Sequence, residues 1–206
     1  MNVSIAGTGT MARAIATRVL AGGHEVVFIG THIAKAEDLA DELTGLGTVR
    51  AAEEVDSDIL VLAVPYSAAP HVVRQHAAEL DGTVVIDISN PVDDSFEPME
   101  VELGSGAQVI AAAAPDGAPV VKAFNTTFAG TLMAGEVAGQ PLDVFIAGDD
   151  EAAKAKVARL VQDGGLRPID AGPLRRAREL EALGYLHMAI QHTRDTLFAT
   201  AVKVLP

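Results

Sequence analysis

The segment Val3-Ser4-Ile5-Ala6-Gly7-Thr8-Gly9-Thr10-Met11-Ala12 decides the fold of this chain. The run Val3–Ala6 predicts a strand, and a helical pattern begins at Thr10, directly after the two glycines. Gly7 permits a tight turn, Gly9 lets a backbone approach a pyrophosphate, and Ala12 allows close packing of helix on strand. A glycine motif in this position predicts a dinucleotide site at the N-terminus of the first helix.

The end of the second predicted strand, Glu25–Ile29, indicates which dinucleotide binds. An NAD site usually places an aspartate or glutamate about 20 residues after the glycines, where it binds the ribose 2′-hydroxyl. This chain has Thr31 and His32 there, with Lys35 one helical turn later. A hydroxyl and one or two cations suit a 2′-phosphate, which a carboxylate would repel. The pattern therefore favours NADP(H) over NAD(H).

Composition narrows the class of protein. The chain has 206 residues, of which 49% are hydrophobic, so it can form one domain, or one large domain with a small annex. A formal net charge of −13 argues against nucleic-acid partners and anionic membrane surfaces. The absence of cysteine excludes disulfides, thiolate nucleophiles and zinc–sulfur sites. No apolar run is long enough to span a bilayer, and a cytoplasmic protein is expected.

Strands and helices alternate along the chain, which predicts an α/β fold with a doubly wound parallel sheet. Strands are predicted at Val3–Ala6, Glu25–Ile29, Asp58–Val64, Thr83–Ile88, Pro119–Ala123, Leu142–Ala147 and Leu166–Ile169. Helices are predicted at Thr10–Leu20, Ile33–Leu43, Ala68–Glu79, Gly106–Ala114, Asp150–Gln162 and Leu174–Ala201, the last with a break near Gly184. The stretch Ser89–Gly104 has no clear period and is interpreted as a long loop near the ligand.

Ligands of open parallel sheets bind beyond the carboxyl ends of the strands. Those ends carry Ala63-Val64-Pro65, then Ser89-Asn90-Pro91, then Phe124-Asn125-Thr126-Thr127-Phe128. This crevice is rich in hydroxyls and amides and lacks a carboxylate–histidine pair. It suits hydride transfer between two cofactors, where the protein supplies alignment, so neither a catalytic acid or base nor a metal ligand is predicted.

Two further stretches carry a specific resemblance. Val121–Leu132, with the sequence VKAFNTTFAGTL, and Leu166–Leu174, with the sequence LRPIDAGPL, resemble the coenzyme F420-dependent NADP oxidoreductase family. The stretch Val121–Leu132 also resembles the cytosolic reductase domain of six-transmembrane ferric reductases. The resemblance implies a Rossmann-type domain with a small C-terminal α/β annex, usually dimeric, that moves hydride between NADPH and a deazaflavin or flavin. Residues 1–135 would bind NADP, and residues 136–206 would complete the acceptor site and the dimer interface.

The resemblance also implies roles for individual positions. Thr8, Thr10 and Met11 match the pyrophosphate loop, and Thr31 and Lys35 match contacts to the 2′-phosphate. Val64 and Pro65 match the turn beside the ribose, Ala129 matches a neighbour of the nicotinamide, and Asn125, Thr126 and Thr127 match the stretch beside the stacked acceptor. The complete predicted cofactor site is Gly7, Thr8, Gly9, Thr10, Met11, Thr31, His32, Lys35, Ala63, Val64, Pro65, Asn90, Asn125, Thr126, Thr127 and Ala129.

Three questions stay open at this level. In the loop that would face the acceptor, this chain has Asn125 where the family commonly has His, and Phe128 where it commonly has Pro. Because this loop departs from the family pattern, the acceptor is either F420 or FMN/FAD. A small dehydrogenase of the pyrroline-carboxylate or hydroxyacid type would need a proton donor, and Lys122 is the one lysine near the predicted site. A non-catalytic NADP(H)-binding sensor has the same binding motifs.

Overall fold

In the computed structural model, residues 1–30, 32–93, 95, 97–194 and 196–205 are described. These residues form an eight-stranded sheet and a separate two-stranded hairpin. The strands are β1 (Asn2–Ala6), β2 (Glu25–Ile29), β3 (Val49–Ala52), β4 (Ile59–Leu62), β5 (Val84–Asp87), β6 (Val120–Lys122), β7 (Glu136–Val137), β8 (Gln140–Pro141), β9 (Asp143–Gly148) and β10 (Arg167–Gly172). The order across the sheet is β10-β9-β6-β5-β4-β1-β2-β3, with β7 and β8 forming the hairpin.

Helices cover both faces of the sheet. They are α1 (Thr10–Ala21), α2 (Ile33–Leu43), α3 (Ala69–Gln75), α4 (Gly106–Ala113), α5 (Ala129–Ala134), α6 (Glu151–Asp163) and α7 (Ala177–Arg194). Along β4, Ile59 and Val61 join the core beneath α1, α2, α5 and α6, whereas Leu60 and Leu62 join the core beneath α3 and α4. A strand buried on both faces reads as a continuous apolar run, as predicted, and the Rossmann-type α/β class is confirmed.

The chain reverses direction once within the sheet. β1 to β6 run parallel, whereas β9 pairs with β6 in the antiparallel direction and β10 runs parallel to β9. The C-terminal α/β unit therefore extends the main sheet at its β6 edge. The predicted division at residue 135 falls just before the hairpin of β7 and β8, and it stays a prediction.

Several predicted elements differ from the structure. β3, α5 and the hairpin were not predicted, because β3 is only partly buried and the other elements are six residues or shorter. The last helix was predicted to reach Ala201 with a break near Gly184, and both expectations are wrong. α7 is continuous through Gly184 and ends at Arg194.

Residues 196–205 form a C-terminal strap that runs back from α7 to the start of β9. Val204 donates its amide to Asp143 Oδ2 at 2.8 Å, and Lys203 Nζ lies 2.6 Å from Asp143 Oδ1. Arg167 Nε donates to the same carboxylate at 2.7 Å. Burial alone would raise the pKa of Asp143, but the hydrogen bonds from Arg167, Lys203 and Val204 outweigh it and hold that pKa well below its ordinary value. One buried carboxylate therefore fastens the strap to the edge of the sheet.

Within the described part of the chain, no helix combines the length and the apolar character needed to cross a bilayer.

Candidate functional site

A cavity of about 520 Å³ lies at the carboxyl ends of β1, β2 and β4. The chain leaves β1 toward β2 and later returns to β4 on the other side of β1, so this is a topological switch point of the sheet, where such folds bind ligands. The predicted site residues in its lining are Gly7, Thr8, His32, Lys35, Val64 and Pro65.

The two glycines of the first turn have different physical roles. Gly7 has φ of +114°, and a Cβ there would lie 2.3 Å from the carbonyl oxygen of Ala63, so the fold itself requires glycine. Gly9 has extended backbone with φ of −82°, and a Cβ there would meet nothing within 4 Å. The space above Gly9 therefore faces outward and is free for a ligand to approach the backbone.

The helices that begin at this cavity have uncapped N-termini. Among the described residues, no side chain caps α1 or α2, and neither helix has an acidic residue in its first turn. The first helical bond of α1 runs from the Arg13 amide to the Gly9 carbonyl, so the preceding amides, including those of Thr10 and Met11, lack helical acceptors. By contrast, Ser105 caps α4 and Asp150 caps α6. Free amides and a positive helix end fit an anionic ligand, so the residues present suit a pyrophosphate.

The cations predicted for the 2′-phosphate lie at the start of α2. His32 occupies the N-cap position of α2, Lys35 lies in its first turn, and both side chains line the cavity. Glu53, which follows β3, lines the same cavity. Thr31 lies outside the described residues. The structure thus places two of the three predicted contacts beside an uncapped helix end.

A second group of predicted residues lies at the ends of β5 and β6, outside the lining of the 520 Å³ cavity. Asn90 and Asn125 hydrogen bond to each other: Asn125 Nδ2 donates to Asn90 Oδ1 at 2.9 Å, and Asn90 Nδ2 donates to the Asn125 carbonyl at 2.9 Å. Asn125 Nδ2 also donates to the Leu180 carbonyl of α7 at 2.8 Å. A Cβ on Gly184 would lie 2.8 Å from Asn90 Oδ1, so this glycine lets α7 approach the asparagine pair rather than breaking the helix.

The loop after β6 is held in an unusual conformation. Phe124 has φ of +63°, a left-handed value that is uncommon for a bulky residue, and its carbonyl accepts the hydroxyl of Thr127 at 2.7 Å. The carbonyl of Thr126 lies 3.1 Å from Nδ1 of His187, a ring on α7 that stacks on Phe128. Burial lowers the pKa of His187, and only a protonated Nδ1 can donate to a carbonyl, so the neutral ring with its proton on Nδ1 fits this contact. Thr126 and Thr127 are buried by these contacts, and Ala129 begins α5 against the core.

Lys122, at the end of β6, is fully buried. Its Nζ lies 2.7 Å from Asp87, 2.8 Å from Glu181 and 2.5 Å from the Ser89 carbonyl. Three acceptors exhaust the three donors of an ammonium group. Glu181 in turn accepts the first amides of α4, from Gly106 at 3.0 Å and Ala107 at 3.2 Å. Lys122 therefore acts as a structural cation that joins β5, β6 and α7.

Part of the cavity lining was not predicted from the sequence. Ala68, the N-cap of α3, and the α3 residues His71, Val72 and Gln75 line it, with a helical spacing of three or four residues. That spacing, on the helix directly after Val64 and Pro65, was the available signal. Glu53 had no such signal because β3 was not predicted.

Comparison with known proteins agrees with this geometry. Residues 2–91 match the family model described as NADP oxidoreductase, coenzyme F420-dependent. The solved structure of a protein from Arthrobacter sp. FB24, provisionally assigned as an F420-dependent NADP-reductase, superimposes with a TM-score of 0.85. It is 28% identical, and the match covers 99% of each chain. The chain is therefore similar to this family, in its N-terminal part by the family model and over almost its whole length by the solved structure.

Curated relatives extend the comparison. The F420-dependent NADP reductase of Methanocaldococcus jannaschii is 28% identical over 200 residues, covering 87% of this chain and 86% of that protein. The metalloreductase STEAP3 of Rattus norvegicus is 35% identical over 188 residues. That match covers 88% of this chain but 36% of the metalloreductase, so this chain spans only part of that relative. Both resemblances expected from the sequence are thereby confirmed.

The contrast between the two glycines is testable. Gly9→Val should keep the fold, because the added side chain meets open space, and should abolish measurable NADPH binding by filling the approach to the backbone. Gly7→Ala should instead destabilise the fold by about 1–3 kcal/mol, because φ of +114° disfavours an L-residue. Fluorescence titration with NADPH and urea denaturation measure the two effects.

Gly45→Val is the matched control, because Gly45 also faces open space but lies in the turn after the C-terminal end of α2, away from the glycine turn that follows β1. It should leave NADPH binding unchanged. Unaltered NADPH affinity in Gly9→Val would contradict the assignment of this turn to the pyrophosphate.

Proposed function

We propose that this protein is an NADP(H)-dependent oxidoreductase that transfers hydride between NADPH and a planar acceptor, either the deazaflavin F420 or a flavin. The observation that carries the proposal is a pair of uncapped helix ends at one edge of the sheet. The turn that leads into α1 contributes Gly7 and Thr8 to the cavity lining, and the start of α2 contributes His32 and Lys35. The first helix end suits the pyrophosphate and the second suits the 2′-phosphate. The names of the reductase relatives support the same activity.

The chemistry needs alignment more than acid or base groups. When bound, NADPH supplies a hydride from its nicotinamide C4, and the acceptor ring takes this hydride and one solvent proton, so that NADPH becomes NADP⁺ and the ring gains two electrons. Val64 and Pro65 would hold the nicotinamide ribose, with Ala63 fixed beside Gly7. Asn90, Asn125, Thr126, Thr127 and Ala129 would border the nicotinamide and the acceptor. The hydrogen bonds between Asn90 and Asn125, and from Thr127 to the Phe124 carbonyl, restrain this border, which favours a fixed ring-to-ring geometry.

The dehydrogenase alternative is disfavoured by the state of Lys122. A proton donor to a carbonyl or imine must reach the substrate, and Lys122 is buried with all three donors committed. No observation favours the other alternative, a sensor that binds NADP(H) without turnover.

We also propose that the protein acts as a homodimer in the cytoplasm, without nucleic-acid or membrane partners. Leu186 and Ile190 are 55% and 37% exposed, and they lie one turn apart on α7. Leu197 at the start of the C-terminal strap is 83% exposed. An exposed apolar stripe on the long helix suits a second copy of the chain, as the dimeric resemblance implies.

Turnover is the direct test of the proposed function. The purified protein should oxidise NADPH rapidly when it is mixed with at least one of oxidised F420, FMN and FAD, followed at the absorbance bands of both partners. Tight NADPH binding without reduction of any of the three would contradict hydride transfer and would instead favour a sensor.

A substitution of Lys35 tests the 2′-phosphate contact. Lys35→Ala should raise the Kd for NADPH by about tenfold or more, because a charge-assisted hydrogen bond is lost, and should leave the Kd for NADH nearly unchanged. Isothermal titration with both dinucleotides measures the difference. Lys156→Ala removes the same charge from α6, away from the cavity, and should change neither Kd. An equal loss for both dinucleotides in Lys35→Ala would place the 2′-phosphate elsewhere.

The oligomeric state is checked by sedimentation equilibrium. We expect the wild-type protein to be a dimer and Leu186→Glu to shift it toward the monomer, because the charge would be buried in the proposed interface. A monomeric wild-type protein would contradict the proposal.

A further inference from the structure

Two neighbouring cavities lie outside the dinucleotide cavity, between the start of α7 and the chain around Pro91 and residues 97–104. Their volumes are about 280 Å³ and about 260 Å³. Gly104 and Arg178 line both of them, so the two cavities adjoin, and together they are here called the acceptor groove.

The outer end of the acceptor groove is strongly basic. Arg175, Arg176 and Arg178 line it together with the single carboxylate of Glu179. Arg178 lies 3.0 Å from that carboxylate and Arg176 lies 3.6 Å from it, whereas Arg175 has no ion pair among the described residues. In a chain with a formal net charge of −13, this lining carries three cations against one anion. Guanidinium groups present paired donors that match phosphate and carboxylate oxygens.

The arginines are held in place by the residues between them. Leu174 and Ala177 are buried in the core beneath α3 and α4, and the Leu174 amide donates to Asp149 Oδ1 at 2.9 Å. Because these two positions are anchored, the flanking arginines stay at the surface, with Arg176 51% and Arg178 70% exposed. The backbone that carries the charges is therefore already fixed before a ligand arrives.

The inner end of the groove is mostly apolar and reaches the predicted acceptor border. Pro91, Met99 and Ala182 line it, and so does Asn90, which pairs with Asn125. Glu181 also lines this end, but its carboxylate is committed to Lys122 and to the first amides of α4. A second carboxylate, that of Glu97, accepts the hydroxyl of Tyr185 at this end at 2.9 Å, so both carboxylates have hydrogen-bond partners within the protein.

We propose that the acceptor groove binds an anionic side chain of the hydride acceptor. Arg175, Arg176 and Arg178 hold its phosphate or carboxylate groups, and the apolar inner end covers the linker that leads to the ring. This inference rests on the proposed function and extends it. If the groove binds the tail, the protein prefers an acceptor that carries an anionic tail to an acceptor with the same ring and no tail.

Pairs of acceptors that differ only in the tail test this selectivity. Riboflavin lacks the phosphate of FMN, and the ribityl deazaflavin chromophore lacks the phosphate and carboxylates of F420. The wild-type protein should have a KM about tenfold or more lower for the tailed member of at least one pair. The double variant Arg175→Gln/Arg178→Gln should lose this preference, while the KM for NADPH and the KM for the tailless acceptors stay unchanged. The two pairs distinguish recognition of a phosphate from recognition of a longer polyanionic tail.

Arg159→Gln is the charge-matched control, because Arg159 is an exposed arginine of α6 that does not line the groove. It should keep the full preference. Equal KM values for tailed and tailless acceptors in the wild-type protein, or a preference that survives the double variant, would overturn the inference.

Direct binding separates this inference from the proposed function. FMN and riboflavin are both fluorescent, so their Kd values can be measured in the presence of NADP⁺ without turnover. Tighter binding of FMN that weakens with salt and disappears in the double variant would support the groove even if no acceptor is reduced. Equal affinities for FMN and riboflavin, together with equal affinities for F420 and its tailless chromophore, would refute it.

Discussion

The buried ammonium of Lys122 is the interaction on which the acceptor side of the structure depends. It contacts two carboxylates, Asp87 at the end of β5 and Glu181 on α7, together with the Ser89 carbonyl. One ammonium group cannot neutralise two carboxylates, and further donors stabilise them. The first amides of α4 donate to Glu181, and the amide and hydroxyl of Ser89 donate to Asp87. Removing one partner would leave a buried charge unpaired, at a cost of about 3–5 kcal/mol. This network therefore fixes α7 against the carboxyl ends of β5 and β6.

That placement of α7 determines how the border of the predicted acceptor site is built. Asn125 donates to the Leu180 carbonyl, and Gly184 allows the helix backbone to lie against Asn90. His187 holds the Thr126 carbonyl on one side and Thr200 of the C-terminal strap on the other. The loop after β6 is thus shaped by a helix more than 50 residues later in the chain. Such a border has few degrees of freedom, which suits the alignment of two flat rings.

The two halves of the site are prepared for their ligands by different means. On the dinucleotide side, α1 and α2 begin without side-chain caps among the described residues, so their free amides and positive ends are available to phosphates. On the acceptor side, α4 is capped by Ser105 and bound by Glu181, so its amides are already occupied. In our proposal, anions are bound there by the side chains of Arg175, Arg176 and Arg178. The proposal therefore assigns backbone groups to one cofactor and guanidinium groups to the other.

The sequence by itself determined the parallel α/β arrangement and the dinucleotide side, because those features depend on local signals. Gly7 and Gly9 stand directly after an apolar strand, and His32 and Lys35 stand where the second strand ends, so strand topology alone brings them to one edge. Only the tertiary structure decided the rest. The reversal at β9, the burial of Lys122 and the contact of Gly184 with Asn90 all depend on partners distant in the chain. The free energy that stabilises these features comes from long-range hydrogen bonds and close packing, which leave no periodic signature in the sequence.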